Sequence, residues 1–168
     1  MAPAGGMSPR ALVVTVSTRA AAGVYADESG PAAAAGLTAL GFDVADVLVV
    51  PDGPQVGDAL RAAVAAGYAL VVTTGGTGLA ADDVTPEHTA PLLDRPVAGL
   101  AEAVRAAGVA AGATAAVLSR GVAGLAGRTL VVNLPGSTRA VNQSLAAIGA
   151  ALVHAVAQVA GGDHPRRQ

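Results

Sequence analysis

Neither cysteine nor lysine occurs among the 168 residues, and tryptophan is missing as well. The first absence removes disulfides, thiolate nucleophiles and the usual zinc sites. The second removes the ammonium of a Walker-type phosphate loop and any lysine Schiff base. A phosphate group must therefore be met by arginine, hydroxyls, backbone or a metal. Aromatic rings are scarce, at two tyrosines and one phenylalanine, so platforms for base stacking are lacking. Ten arginines against twelve acids leave a formal charge of −2. With no broad basic field, a nucleic-acid partner is not expected.

Three histidines, His88, His154 and His164, remain as imidazole ligands, and no two stand at metal-ligand spacing. His88 falls in a loop segment, His154 reads as buried in a late apolar helix, and His164 is in the tail. The opening MAPAGGMSPR has no charged stretch followed by an apolar run and a cleavage site, so residues 1–10 read as a disordered leader and the chain as cytoplasmic. Residues 145–160 approach the length of a membrane span, yet they are largely alanine and carry His154 and Gln158. They read as the buried helix of a soluble protein, with no membrane partner. The length suits one domain, expected over residues 11–162 with a tail at 163–168.

Apolar, β-branched runs recur at 11–17, 44–50, 69–74, 114–119 and 129–134. Such nearly continuous runs indicate strands covered on both faces. Alanine-rich segments of helical length separate them at 30–40, 53–67 and 97–108. Alternation of strand and helix predicts an α/β fold, a three-layer αβα sandwich with a mainly parallel sheet. Thr85 and Pro86 suit the cap and first turn of a short helix, and Ser137 suits the cap of the last one.

In an open α/β sheet, ligands bind beyond the carboxyl ends of the strands. That rule selects four loops: Ser17-Thr18-Arg19, Pro51-Asp52-Gly53, Gly75 to Asp83, and Pro135-Gly136-Ser137. The third, within LVVTTGGTGLAADDVTPEHT, sets Gly75, Gly76 and Gly78 beside two acids, Asp82 and Asp83. Exposed amides of a glycine turn attract an anion, whereas the acids repel it. A divalent cation between carboxylate and phosphate resolves the conflict; a surface turn with solvated acids is the other resolution. Gly76-x-Gly78-x-x-Ala81 formally matches a dinucleotide fingerprint, but the acids and Pro86 delay the helix that should follow at once, and Glu102, where the ribose-binding acid would stand, falls inside another helix. No G-x-S-x-G elbow is present for a serine hydrolase.

The stretches STRAAAGVYADESG (17–30), TTGGTGLAADDVTPE (73–87) and LSRGVAGLAGRTLVVNLPGS (118–137), with a closing helix that contains His154, resemble the MogA/MoaB molybdopterin-binding family, to which the G domain of gephyrin is related. The detail is similar to actinobacterial Mog proteins. The resemblance spans roughly residues 11–161. It implies a molybdopterin adenylyltransferase of molybdenum cofactor biosynthesis, which converts molybdopterin and Mg-ATP into adenylylated molybdopterin and pyrophosphate. A non-catalytic molybdopterin-binding or scaffold protein is the alternative within the same family. Asp52 and Asp83 would be the two essential carboxylates. Asp83 would bind Mg2+, and Asp52 would share the ion or orient the attacking phosphate of the pterin. Gly75, Gly76, Thr77 and Gly78 would supply donors to the ligand's phosphate. Ser17, Pro135, Gly136 and Ser137 would complete the binding site, the last three lining the pterin pocket. Such a reaction needs positioning and charge neutralisation rather than a protein nucleophile. The resemblance also implies a homotrimer, and contacts with other enzymes of cofactor biosynthesis. Three positions depart from the family pattern: Thr18 where aspartate is common, Asp82 where arginine is common, and Thr138 where proline follows PGS.

Overall fold

The computed structural model describes residues 7–161. Most of the expected leader, the tail at 163–168 and His164 lie outside them. Arg10 already belongs to the first strand, so the fold begins inside the stretch read as leader.

Chain order gives β1 (Arg10–Val16), α1 (Thr18–Ala21), α2 (Ser29–Ala39), β2 (Asp43–Val50), α3 (Pro54–Ala65), β3 (Leu70–Thr74) and α4 (Thr85–Thr89). After a 3-10 turn at Ala90–Leu92 come β4 (Arg95–Pro96) and α5 (Ala98–Ala110). A second 3-10 segment at Thr114–Leu118 leads to β5 (Ala123–Ala126), β6 (Thr129–Leu134) and α6 (Thr138–Val159). The six strands form one mixed sheet in the order β2-β1-β3-β6-β5-β4, with helices on both sides. The first four in that order are parallel, and β5 runs against both of its neighbours.

Alternation of side chains across a strand assigns the two faces. Val13, Val72 and Val132 stand in register and pack with Leu37 of α2, Val104 of α5 and Ile148 and Leu152 of α6. One residue away, Val14, Val71 and Val131 face the other way and pack with Val56, Leu60 and Ala63 of α3. Both faces of the central strands are therefore dry, which is what continuous Val/Leu runs require. α6 is, among the described residues, long and apolar enough to cross a membrane by length and composition alone. It lies along the sheet and buries one stripe, Val141, Leu145, Ile148, Leu152 and Val156. His154 lies off that stripe and is exposed, contrary to expectation.

The run 114–119 is not a strand. It forms the 3-10 segment, and its Val117 and Leu118 are 62% and 51% exposed. The fifth strand is instead the small-residue segment AGLA, which joins β6 through the two-residue turn Gly127-Arg128. Gly127 has φ +58°, the sign that the first central position of a tight II′ hairpin turn requires. Pairing with β6, rather than intrinsic propensity, makes this segment extended. Thr85 is also not the cap of α4: Val84 holds that place, and Thr85 is the first helical residue.

Candidate active site

The chain leaves β1 for β2 on one side, and β3 lies on the other side of β1. This is a switch in strand order, and the loops that follow β1, β2, β3 and β6 all emerge at the same end of the sheet. Close backbone approach knits them together there. Gly75 N donates to Leu134 O at 3.0 Å, and Ser17 N donates to Val50 O at 2.9 Å. A Cβ on Gly136 would lie 3.1 Å from Gly75 Cα, and one on Gly75, whose φ is +90°, would strike Val16 O.

Ser17 caps α1, accepting from Ala20 N at 3.2 Å and sharing a 2.7 Å hydrogen bond with the Tyr25 hydroxyl. Its neighbour Thr18 is joined to Asp52 three times. Thr18 N and Thr18 Oγ1 donate to Asp52 Oδ2 at 3.1 and 2.7 Å, and Asp52 N donates back to Thr18 Oγ1 at 3.1 Å. One oxygen of Asp52 is thus committed, and the other, Oδ1, lies 3.1 Å from where a Cβ on Gly76 would stand. The threonine that departs from the family pattern has a structural role here: a short hydroxyl reaches the carboxylate without adding a second negative charge.

Asp83 is half-buried, and its Oδ2 accepts from Ala80 N at 3.1 Å, folding the acid back over Gly78. Asp82 is exposed. Asp52 and Asp83 therefore stand beside Gly76 and Gly78 respectively, each with one oxygen that has no described protein donor. No group of three His, Asp or Glu side chains able to hold a metal occurs among the described residues. The donor set does not make a dedicated metal cage, but it fits magnesium, which commonly takes one or two carboxylates and completes its shell with phosphates and water.

The carbonyls of the glycine loop are all engaged. Gly75 O accepts from Thr85 Oγ1 at 3.0 Å, Gly76 O from Thr85 N at 3.0 Å, and Thr77 O from Arg120 N at 2.8 Å. Gly78 O accepts from Arg120 Nε at 2.8 Å, and Asp83 O from Arg120 Nη2 at 2.5 Å. Arg120 also pairs with Glu87, and this hydrogen-bonded ion pair holds the Glu87 carboxyl below its ordinary value of 4.5.

Two cavities flank the loops. The larger, about 590 Å³, is lined by Ser17, Gly136 and Ser137 together with Tyr25, Asp27 and Glu28. The smaller, about 370 Å³, is mostly apolar and takes Thr77, Gly78 and Pro135 into its wall beside Leu79 and Leu118. Asp27 is absent from the sequence-derived set although its segment is part of the family signature. Its carboxylate accepts from Thr15 Oγ1 at 2.7 Å and Gly30 N at 3.1 Å, tying the start of α2 to β1. The D-x-S-G spacing, which resembles a capping turn, is the signal that could have found it. Ser137 caps α6, accepting from Ala140 N at 3.1 Å, as its place after Gly136 led one to expect.

Residues 12–155 match the family model of a probable molybdopterin binding domain. A bifunctional molybdenum cofactor biosynthesis protein of Synechococcus elongatus is 40% identical over 166 residues, 98% of this chain and 52% of that protein. The chain spans about half the length of such bifunctional relatives. A molybdopterin adenylyltransferase of Haemophilus influenzae is 36% identical over 79% of this chain and 69% of its own length. Among solved structures, a molybdopterin biosynthesis protein from Mycobacterium abscessus superposes with a TM-score of 0.88 at 46% identity, covering 91% of this chain and 97% of that one. A fold and a sequence match that both run from the first strand into the last helix lead to one assignment: the chain belongs to the MogA/MoaB family of molybdopterin-binding domains in molybdenum cofactor biosynthesis.

Proposed function

We propose that the chain is a molybdopterin adenylyltransferase. An oxygen of the pterin's terminal phosphate attacks the α-phosphorus of ATP, the bond to the bridging oxygen breaks, and pyrophosphate leaves. The observation that carries this reading is the pair Asp52 and Asp83, each with one oxygen uncommitted, beside Gly76 and Gly78 of a loop whose carbonyls are held by other groups. Amides freed by that arrangement suit phosphate oxygens. Asp83 and Asp52 would hold a magnesium ion, which when bound supplies charge neutralisation between carboxylate and phosphate. Ser17, Gly136 and Ser137, on the wall of the larger cavity, would orient the ligand, and Pro135 would shape the adjoining surface. No protein nucleophile is needed, in keeping with a chain that has no cysteine or lysine. The 98% coverage by a cofactor-biosynthesis relative and the name of the Haemophilus protein support the same reading.

Incubation with molybdopterin and Mg-ATP labelled at the α-phosphate should yield labelled adenylylated pterin. Pterin binding without transfer would replace the enzyme by a binding protein. The proposal includes a cytoplasmic homotrimer, supported by family resemblance and by the exposed Leu79, Val117 and Leu118. A stable monomer in sedimentation at micromolar concentration would remove that part.

A further inference from the structure

We propose that Arg120 is the positioning residue of the glycine loop, setting the direction in which its peptide groups face; the inference rests on the reading of that loop as a phosphate site. In a planar trans peptide the C=O and the following N–H point opposite ways. Thr85 holds the carbonyls of Gly75 and Gly76, and Arg120 holds those of Thr77 and Gly78. Consequently the N–H groups of Gly76, Thr77, Gly78 and Leu79 are directed away from these anchors. Successive amides so aligned form an anion-binding concavity.

Half of that alignment depends on one residue. Arg120 uses its backbone N–H on Thr77 and its side chain on Gly78 O, Asp83 O and Glu87, so one fork fixes both the loop and the backbone that carries Asp83. Its own segment is braced from behind: Arg105 Nη1 donates to Ser119 O at 3.2 Å and Gly121 O at 3.0 Å. The guanidinium is spent on protein oxygens and does its work through the loop. A lysine keeps the charge but loses the planar fork that can serve three acceptors at once.

The test uses the full chain, with inorganic pyrophosphate as probe and backbone amide NMR as readout. In the wild type, pyrophosphate should shift the amides of residues 76–79. Arg120→Lys should remain folded, lose the response at Leu79, whose peptide carbonyl the guanidinium holds, and bind pyrophosphate about tenfold or more weakly, because charge-assisted amide contacts require the alignment. Adenylyl transfer should fall about 100-fold, as expected for a misplacement near 1 Å. In Arg120→Ala, guanidinium ion at non-denaturing concentration should restore part of the amide pattern. If Arg120→Lys unfolds, Arg105→Lys carries the test, since it loosens residues 119–121 and leaves Arg120 in place; a weaker form of the same loss is expected. A folded Arg120→Lys with wild-type amide shifts and affinity overturns the proposal, as does a wild type whose amides 76–79 ignore pyrophosphate, or an Arg105→Lys stand-in that behaves as wild type. A wild type that shows the amide response but transfers no adenylate refutes the proposed activity and leaves the positioning role. Transfer at unchanged kcat and KM in Arg120→Lys does the reverse.

Discussion

Replacing Gly76 by alanine puts a methyl group into the most crowded turn of the site. Gly76 has φ +65°, and the new Cβ would strike Thr85 Oγ1 and lie 3.1 Å from Asp52 Oδ1 and 3.2 Å from Val16 Cγ1. Gly127 is the matched control, with φ +58° and nothing within 4 Å of a Cβ. The left-handed backbone costs an L-residue about 1–2 kcal/mol, partly offset by about 0.4–1 kcal/mol of lost freedom in the unfolded chain. Gly127→Ala should therefore destabilise by about 1 kcal/mol. Gly76→Ala adds about 1–3 kcal/mol for forcing its neighbours aside, which brings it to about 2–4 kcal/mol. At about 2–4 °C per kcal/mol for a chain of this size, the Tm should fall by about 2–4 °C in the control and about 4–16 °C at Gly76. Thermal unfolding of the two variants measures this directly, and adenylyl transfer well below either Tm measures the effect on Asp52 separately. Gly127→Ala should keep full activity, while Gly76→Ala should lose most of it. Equal Tm values for the two, or a fully active Gly76→Ala, would refute the packing around Asp52 from which the numbers come.

Three further outcomes follow from the same geometry. Asp83→Asn removes a charge that should hold magnesium against phosphate, so adenylyl transfer should fall about 100-fold or more, with fold and molybdopterin binding retained; the exposed Asp82→Asn should cost far less, and the opposite order in a rate assay would move the metal ligand to Asp82. Thr18→Val should leave Asp52 Oδ2 on the backbone N–H of residue 18 alone and lower kcat by about tenfold, the worth of a lost hydrogen bond of about 1–1.5 kcal/mol, whereas Thr18→Ser should restore it; equal rates for all three side chains would show that the hydroxyl does not hold Asp52 in place. The depressed carboxyl of Glu87 stabilises the fold above the unfolded value of 4.5, and that contribution is lost as pH falls through the lower folded value. Below about pH 4.5 the wild type should therefore lose stability faster than Glu87→Gln, by a small margin because the pair is half exposed; parallel denaturation curves from pH 5 to 3 would contradict this.

The central sheet could be read from the sequence because Val13–Val14, Leu70–Val72 and Leu130–Val132 are buried on both faces, and that burial demands uninterrupted apolar, mostly β-branched residues. β5 could not. Its Ala-Gly-Leu-Ala carries little strand preference and is extended only because β6 pairs with it, while the more strand-like TAAVLS is turned into an exposed 3-10 segment. At the site, the acids stood out by their place beside turn glycines. Their environments did not, since nothing in the sequence says that Asp83, and not its neighbour Asp82, is half-buried and folds back onto Ala80 N. Arg120 was harder still to foresee, because its side-chain partners lie 33 to 42 residues away. Nothing in the local pattern of Leu-Ser-Arg-Gly announces them.

The strand order β2-β1-β3-β6-β5-β4 has a consequence for the nascent chain. As the polypeptide leaves the ribosome, the first three strands can associate early, yet β3 then has one bare edge over Leu70–Thr74, five residues that are all buried in the finished protein. The partner for that edge is Thr129–Leu134, synthesised more than fifty residues later. The same late segment brings Leu134 O to Gly75 and, just upstream of it, Arg120 to Gly78. Half of the glycine loop's anchors therefore arrive with the last third of the chain, so the loop reaches its finished shape only when β6 closes the sheet. Until then the apolar edge of β3 is the part of the molecule most exposed to mispairing.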